Sequence, residues 1–365
     1  MQALRIYAGP KARRHIEQNG LNPADISVVP GAAGGPKGLI LGALDRFIFG
    51  AWLAQSSQPV DLIGASIGAW RMATACLNNP VAGFQRLESD YVHQHYELKP
   101  GQKRPTADVV SEQFGRNLKE FYGDRVREVI GNPRYRLHIV TSRGRHMLGR
   151  EHKVATPLGY LGAFLANSVH RKAMGAWLER VVFSARNAPL PFATADYRTR
   201  QVPMDEANFQ PALQASCSIP FVLRSVRNIP GAPPGAYWDG GITDYHLHLN
   251  YHRAEMTQAS GASPGLVLYP HFQKAVVPGW LDKGLKWRHG ATHFLDNMVL
   301  LAPDPQWIKT LPAGKLPDRE DFLRYSHDTP SRVRAWSAAT SKAGQLAEEY
   351  AQWLRRPDMN QVHPL

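Results

Sequence analysis

The stretch Gly64-Ala65-Ser66-Ile67-Gly68 constrains this chain more than any other. It follows Pro59-Val60-Asp61-Leu62-Ile63, which reads as a short buried strand, and leads into residues 69–77, which read as a helix. A G-x-S-x-G run between strand and helix is the setting of a nucleophile elbow. A turn that sharp strains the serine backbone and brings neighbouring chain close, so side chains at Gly64 and Gly68 would clash. Ser66 would stand at the helix N-terminus, where free amides and the dipole favour developing negative charge. The competing reading of these five residues alone is an ordinary Gly/Ser turn.

The elements around the elbow alternate. Pro10 to Asn19 reads as a helix, with Pro10 suited to its first turn and Gly20 to its end. Residues 25–30 read as a strand running into Gly31-Ala32-Ala33-Gly34-Gly35-Pro36-Lys37-Gly38. Apolar residues from Leu39 to Leu53 then recur at helical spacing. Strands alternating with helices imply right-handed crossovers and a mainly parallel sheet, with ligands bound beyond the carboxyl ends of its strands. Further strands are expected at 136–141, 181–183 and 266–269. Helices are expected within 79–132, over most of 158–183 and at 205–214.

The glycine loop is not a nucleotide loop. Pro36 stands where a Walker A motif needs glycine, Gly38 where it needs Ser or Thr, and G-x-G-x-x-G is absent. Glycines that bare their amides at a helix start suit an oxyanion hole, with Gly34 and Gly35 as donors and Lys37 fixing the loop or adding positive potential. A nucleophilic serine also needs a base. Asp239, in Trp238-Asp239-Gly240-Gly241, is presented at the tip of a tight turn. Upstream of it, Gln214-Ala215-Ser216-Cys217-Ser218-Ile219-Pro220 reads as a helix end broken by proline. His246, His248 and His252 follow Asp239, and His93 and His95 form another pair, but no motif ties any of them to Ser66. A Ser-His-Asp triad or a zinc site from these histidines therefore ranks below surface or packing roles.

Taken in order, Gly34-Gly35-Pro36-Lys37-Gly38, Gly64-Ala65-Ser66-Ile67-Gly68, Ala215-Ser216-Cys217-Ser218-Ile219-Pro220 and Asp239-Gly240-Gly241 resemble the motifs of the patatin-like phospholipases. The resemblance covers about Ile26 to Tyr269. It implies a three-layer α/β/α fold with a mainly parallel central sheet and a Ser-Asp dyad without catalytic histidine. Ser66 would be the nucleophile, Asp239 its base, and the amides near Gly34 and Gly35 the oxyanion donors. Gly64, Gly68, Gly240 and Gly241 would support the turns. The chain departs from the pattern twice. Ala33 replaces the first of three glycines, and Asp244-Tyr245-His246 stands where Asn and Pro often follow the D-G-G run. The implied activity is that of a lipid acyl hydrolase of phospholipase or lysophospholipase type. The alternatives are an acyltransferase or thioesterase using the same acyl-serine, or a non-catalytic membrane-associated protein. No cofactor and no metal is called for.

Composition sets the remaining bounds. The chain has 365 residues, 43% hydrophobic and 20% charged, enough for a large core. Cys76 and Cys217 are its only cysteines, which gives neither a disulfide framework nor a zinc pattern and suits a reducing compartment. The first residues hold no apolar run of signal-peptide length, and no stretch reaches about 20 apolar residues. The expected location is therefore cytoplasmic, with peripheral membrane contact as an addition. Net charge is +13, and Lys99 to Arg200 carries 19 Lys/Arg against 8 Asp/Glu. Such a segment is expected to favour anionic membrane, with nucleic acid ranked lower and solubility as the plain alternative. The acyl hydrolase domain is expected over 1–275. A C-terminal extension over 276–365 is expected to end in one amphipathic helix, Ser331 to Arg355, capped by Thr329 and stopped by Pro357.

Overall fold

The computed structural model describes residues 1–97, 102, 104–251 and 265–365. Lys99, at the start of the basic segment, and His252 lie outside the described residues. Eleven strands form one sheet: β1 (Leu4–Ala8), β2 (Ile26–Gly31), β3 (Val60–Ala65), β4 (Tyr135–Gly144), β5 (Leu178–Ser184), β6 (Thr199–Pro203), β7 (Val226–Arg227), β8 (Ala236–Asp239), β9 (Leu266–Pro270), β10 (Met298–Pro303) and β11 (Val362–Pro364). The order across the sheet is β11-β1-β10-β9-β2-β3-β4-β5-β6, with β8 beside β4 and β7 beside β8. The run β10-β9-β2-β3-β4 is parallel throughout, while β1 against β10, β4 against β5 and β8, and β7 against β8 are antiparallel. The fold is thus α/β, a large, mostly parallel mixed sheet flanked by helices. The central strands β3, β9 and β10 are buried at every position. Strands covered on both faces read as continuous apolar runs rather than as alternation, and these do.

The register of β4 positions the site. Its first half pairs with β3 as far as Ala65 opposite Val140, and the side vacated there is taken up by β8, with Asp239 opposite Thr141. Because β3 runs parallel and β8 antiparallel to β4, the carboxyl ends of β3 and β8 meet head-on along one edge of β4. The residues at that junction are Ser66 and Asp239.

The boundary drawn after residue 275 does not separate the sheet. β10 lies inside it, between β1 and β9, and β11 pairs with β1 at its edge. The expected single C-terminal helix is two, Thr329–Lys342 and Gly344–Arg355, interrupted at Ala343. Asp328 rather than Thr329 caps the first, its carboxylate accepting from the Ser331 amide at 3.0 Å. The stripe read from the sequence, Val333, Trp336, Thr340, Ala343, Ala347, Tyr350 and Leu354, turns inward in part: Trp336, Thr340, Ala343 and Tyr350 are buried, and Val333, Ala347 and Leu354 are half-buried. Ala339, Ala343, Leu346, Tyr350 and Trp353 join the main core. The helical run Gly35–Gln55 is, among the described residues, the one long and apolar enough to cross a bilayer. Ile40, Leu44, Ile48 and Leu53 on it are buried in that same core.

The charge of the basic segment is partly paired with carboxylates, some buried and some at the surface. Arg136 pairs with Asp61, and Arg127 with Glu206. Arg143, Arg198 and Arg200 converge on Glu179, and Arg180 binds Asp196 and Asp244.

Candidate active site

Ser66 follows the last residue of β3 and precedes the helix Ile67–Ala75, with φ 57° and ψ −131°. A non-glycine residue held there costs about 1–3 kcal/mol, so neighbouring packing must enforce it. Two glycines make that packing possible. A Cβ on Gly64 would lie 2.3 Å from the Ala69 Cα, and one on Gly68 would lie 1.8 Å from the Gly31 carbonyl oxygen. The second contact brings the helix start against the end of β2, and so sets the glycine loop beside Ser66. The elbow is also tied from the other side. The Ser66 amide donates to Ser216 Oγ at 3.0 Å, and Ser216 Oγ donates to the Val140 carbonyl at 2.6 Å. Ser216 therefore pins the turn to β4, a role its A-S-x-x-x-P setting did not disclose.

The Ser66 hydroxyl donates to Asp239 Oδ2 at 2.8 Å. The other carboxylate oxygen accepts from the Gly241 amide at 2.7 Å. The backbone around Asp239 is fully engaged: its amide donates to the Ser218 carbonyl, the Gly240 amide to the Ser216 carbonyl, and Ser142 Oγ to the Asp239 carbonyl. Both side chains are buried. A Cβ on Gly240 would meet the Val140 carbonyl at 2.1 Å, so the turn after Asp239 needs glycine for close approach. Burial raises the Asp239 carboxyl above its ordinary 3.8. The charge of Arg319 is the largest opposing influence, followed by the hydrogen bonds from Ser66 and Gly241 and the charge of Lys283.

The glycine loop lies as expected at the carboxyl end of β2. Gly34 shares a small pocket with Ser66, Asp239 and Gly241, and Gly35 lines a larger cleft that also reaches Ser66. The Ala33 amide is taken by the Tyr245 carbonyl, while those of Gly34 and Gly35 have no acceptor among the described residues. Lys37 is set apart from the dyad, with its ammonium 5.6 Å from the centre of the Phe272 ring. It lines neither space at Ser66.

The histidines do not meet the dyad. Among the described residues, none bonds to Ser66 or Asp239. His246 and His248 are buried against the carbonyls of Ala275 and Val276, and burial holds both below the ordinary imidazole value, His248 at about 4. His93 bonds to the Ser89 carbonyl and His95 to Thr329 Oγ1. Among the described residues no three His, Cys, Asp or Glu side chains are grouped to hold a metal.

The larger cleft has a volume of about 410 Å³. Its wall is mainly apolar and aromatic, with Trp70, Tyr91, Val110, Phe114, Ile219 and Leu223 among its lining. Such a wall suits an apolar ligand; Ser66 is part of it, while Asp239 lines the small pocket that shares Ser66. Arg319 lines both the cleft and the small pocket, and a Cβ on Gly35 would lie 3.0 Å from its Nε. Sequence reasoning missed Arg319, because it lies in the C-terminal stretch that resembled nothing recognised. Lys283 also reaches this rim, 4.0 Å from the centre of the Tyr245 ring. Burial, with the charges of Arg319 and Lys37, brings its ammonium down to about 8. Comparison with models of known protein families and with curated protein sequences returned no match.

Proposed function

We propose that the protein is a serine acyl hydrolase of the patatin-like type, acting on lipid esters through a Ser66–Asp239 dyad. The observation that carries this reading is the 2.8 Å hydrogen bond from Ser66, which lines an apolar cleft, to the buried Asp239 carboxylate. In this mechanism Ser66 Oγ attacks the ester carbonyl and passes its proton to Asp239. A carboxyl at its ordinary pKa is a poor base, and the upward shift from burial brings Asp239 nearer to what the step needs. Negative charge growing on the carbonyl oxygen would fall among the Gly34 and Gly35 amides and the start of the helix behind Ser66. Asp239 then returns the proton to the leaving alcohol. In the second half it takes a proton from the water that hydrolyses the acyl-enzyme.

A panel of lysophospholipid, phospholipid and simple acyl esters tests the proposal. Turnover of long-chain esters is expected, and Ser66→Ala is expected to lower it at least about a thousandfold with an unchanged melting temperature. Hydrolysis that survives Ser66→Ala would assign the activity elsewhere.

A further inference from the structure

The helix Ala155–Val169 is built inside out. Its sequence, ATPLGYLGAFLANSV, holds no charged residue. The buried side carries Thr156, Gly159, Tyr160, Ala163 and Asn167, mostly small residues. Those glycines let the helix lie close to the body. A Cβ on Gly162 would be 2.5 Å from the Trp177 ring, and one on Gly159 2.7 Å from the Leu148 side chain. Asn167 fastens the last turn, its amide donating to the buried Asp282 carboxylate at 2.8 Å. The large side chains point the other way. Leu158, Leu161, Phe164, Leu165 and Val169 are between 38% and 85% exposed. A helix at a water boundary normally does the reverse, and a contiguous exposed apolar face marks a surface that something covers.

Exposed Phe221 links the inner side of the helix to the candidate active-site cleft. Tyr160 packs edge-on against Phe221 at 5.9 Å. Phe221, itself 61% exposed, lines that cleft together with Val222. The flanks carry lysines, exposed Lys153 before the helix and exposed Lys172 after it. Glu151, just before the helix, is paired with Arg224. Fifteen residues make about 22 Å of helix. That is short of the roughly 30 Å of a hydrocarbon core, so a helix fixed by its inner face can only lie in the plane of a membrane surface.

We infer that the outer face of Ala155–Val169, with Phe221 and Val222, docks on an anionic lipid surface and opens the cleft directly to it. The leucines enter the acyl boundary, the flanking lysines meet headgroup phosphates, and a lipid reaches Ser66 without crossing water. The inference deepens the acyl hydrolase reading in taking the cleft as the route of an acyl chain. Its test is independent of turnover.

Full-length protein is sedimented with sucrose-loaded vesicles of phosphatidylcholine alone and of phosphatidylcholine with phosphatidylglycerol. The wild type and Ser66→Ala should both partition to the anionic vesicles, less so as salt is raised. The double variant Leu161→Asp/Leu165→Asp should lose about a hundredfold in partition coefficient while its melting temperature holds. A Leu161→Cys variant carrying an environment-sensitive dye should blue-shift on the same vesicles. Equal partition of the double variant and the wild type would overturn the inference. So would absence of vesicle binding in the wild type, or a wild-type dimer that the double variant turns into monomer, since a second copy would then cover the face. Vesicle binding with no ester turnover would leave the docking surface standing and remove the hydrolase reading instead.

Discussion

Asp239 and Asp244 stand at the two ends of one short turn, equally hidden from solvent, and the fold treats them in opposite ways. Asp244 is clamped. Arg180 donates to its two oxygens at 2.7 and 2.6 Å, and Arg171 adds a contact at 3.2 Å. Arg180 is wholly buried and also holds Asp196. Among the described residues no arginine bonds to Asp239, which binds a hydroxyl and a backbone amide instead. A bidentate guanidinium fixes a buried carboxylate in place. Asp239 is held by the hydroxyl and the backbone amide, and burial raises its carboxyl. In the proposed mechanism what sets Asp239 apart from Asp244 is its partner set, since both are buried.

Exchanging each carboxylate for its amide breaks the comparison most sharply. Asp239→Asn is expected to lower ester turnover about a thousandfold or more while leaving unfolding near the wild-type midpoint. It removes a carboxylate whose ionisation the fold disfavours. The raised pKa means that the folded chain holds the proton more tightly than the unfolded one. Ionising Asp239 thus costs stability as pH rises from about 3.8 through the folded value, and above that pH the variant should be as stable as the wild type or slightly more so. Asp244→Asn should show the converse, a loss of about 3 kcal/mol in denaturant unfolding, because Arg180 is left with Asp196 alone. Any loss of turnover should then follow the unfolded fraction. Equal stability losses in the two variants, or equal activity losses, would erase the distinction.

Smaller effects sharpen it. Ser216→Ala frees the Ser66 amide and the Val140 carbonyl inside the fold, and kcat/KM is expected to fall about tenfold. KM should change little, since Ser216 positions the turn rather than the lipid. Arg319→Gln removes the strongest influence holding the Asp239 pKa down. The acid limb of the kcat/KM profile should then move to higher pH, the sign expected if Asp239 must be ionised to act. A shift to lower pH, or none, would detach that limb from Asp239.

Much of the site was legible because its parts are local in sequence. The elbow, the glycine loop and the D-G-G turn each declare themselves within five residues, and the register of β4 brings the elbow and that turn together. What was not legible is non-local. Asp244 registered only as a departure from a pattern, because its partners Arg180 and Arg171 lie 64 and 73 residues away. Met298–Pro303 is a plain apolar run, but nothing within it says that it enters the sheet beside β1. The C-terminal periodicity gave the inward stripe and missed the interruption at Ala343. The helix expected over most of 158–183 was legible as a helix, yet its sequence pattern does not say which side faces out. The size of the residues does, with glycine and alanine toward the body and leucine away from it.

The most direct measurement of the central claim is fluorophosphonate labelling of the intact, folded protein, followed by peptide mapping and by the labelling rate in variants. The account predicts one modified residue, Ser66, with labelling abolished in Ser66→Ala and slowed at least about a hundredfold in Asp239→Asn. Absence of label at Ser66 in well-folded protein, or labelling of Asp239→Asn at the wild-type rate, would contradict it.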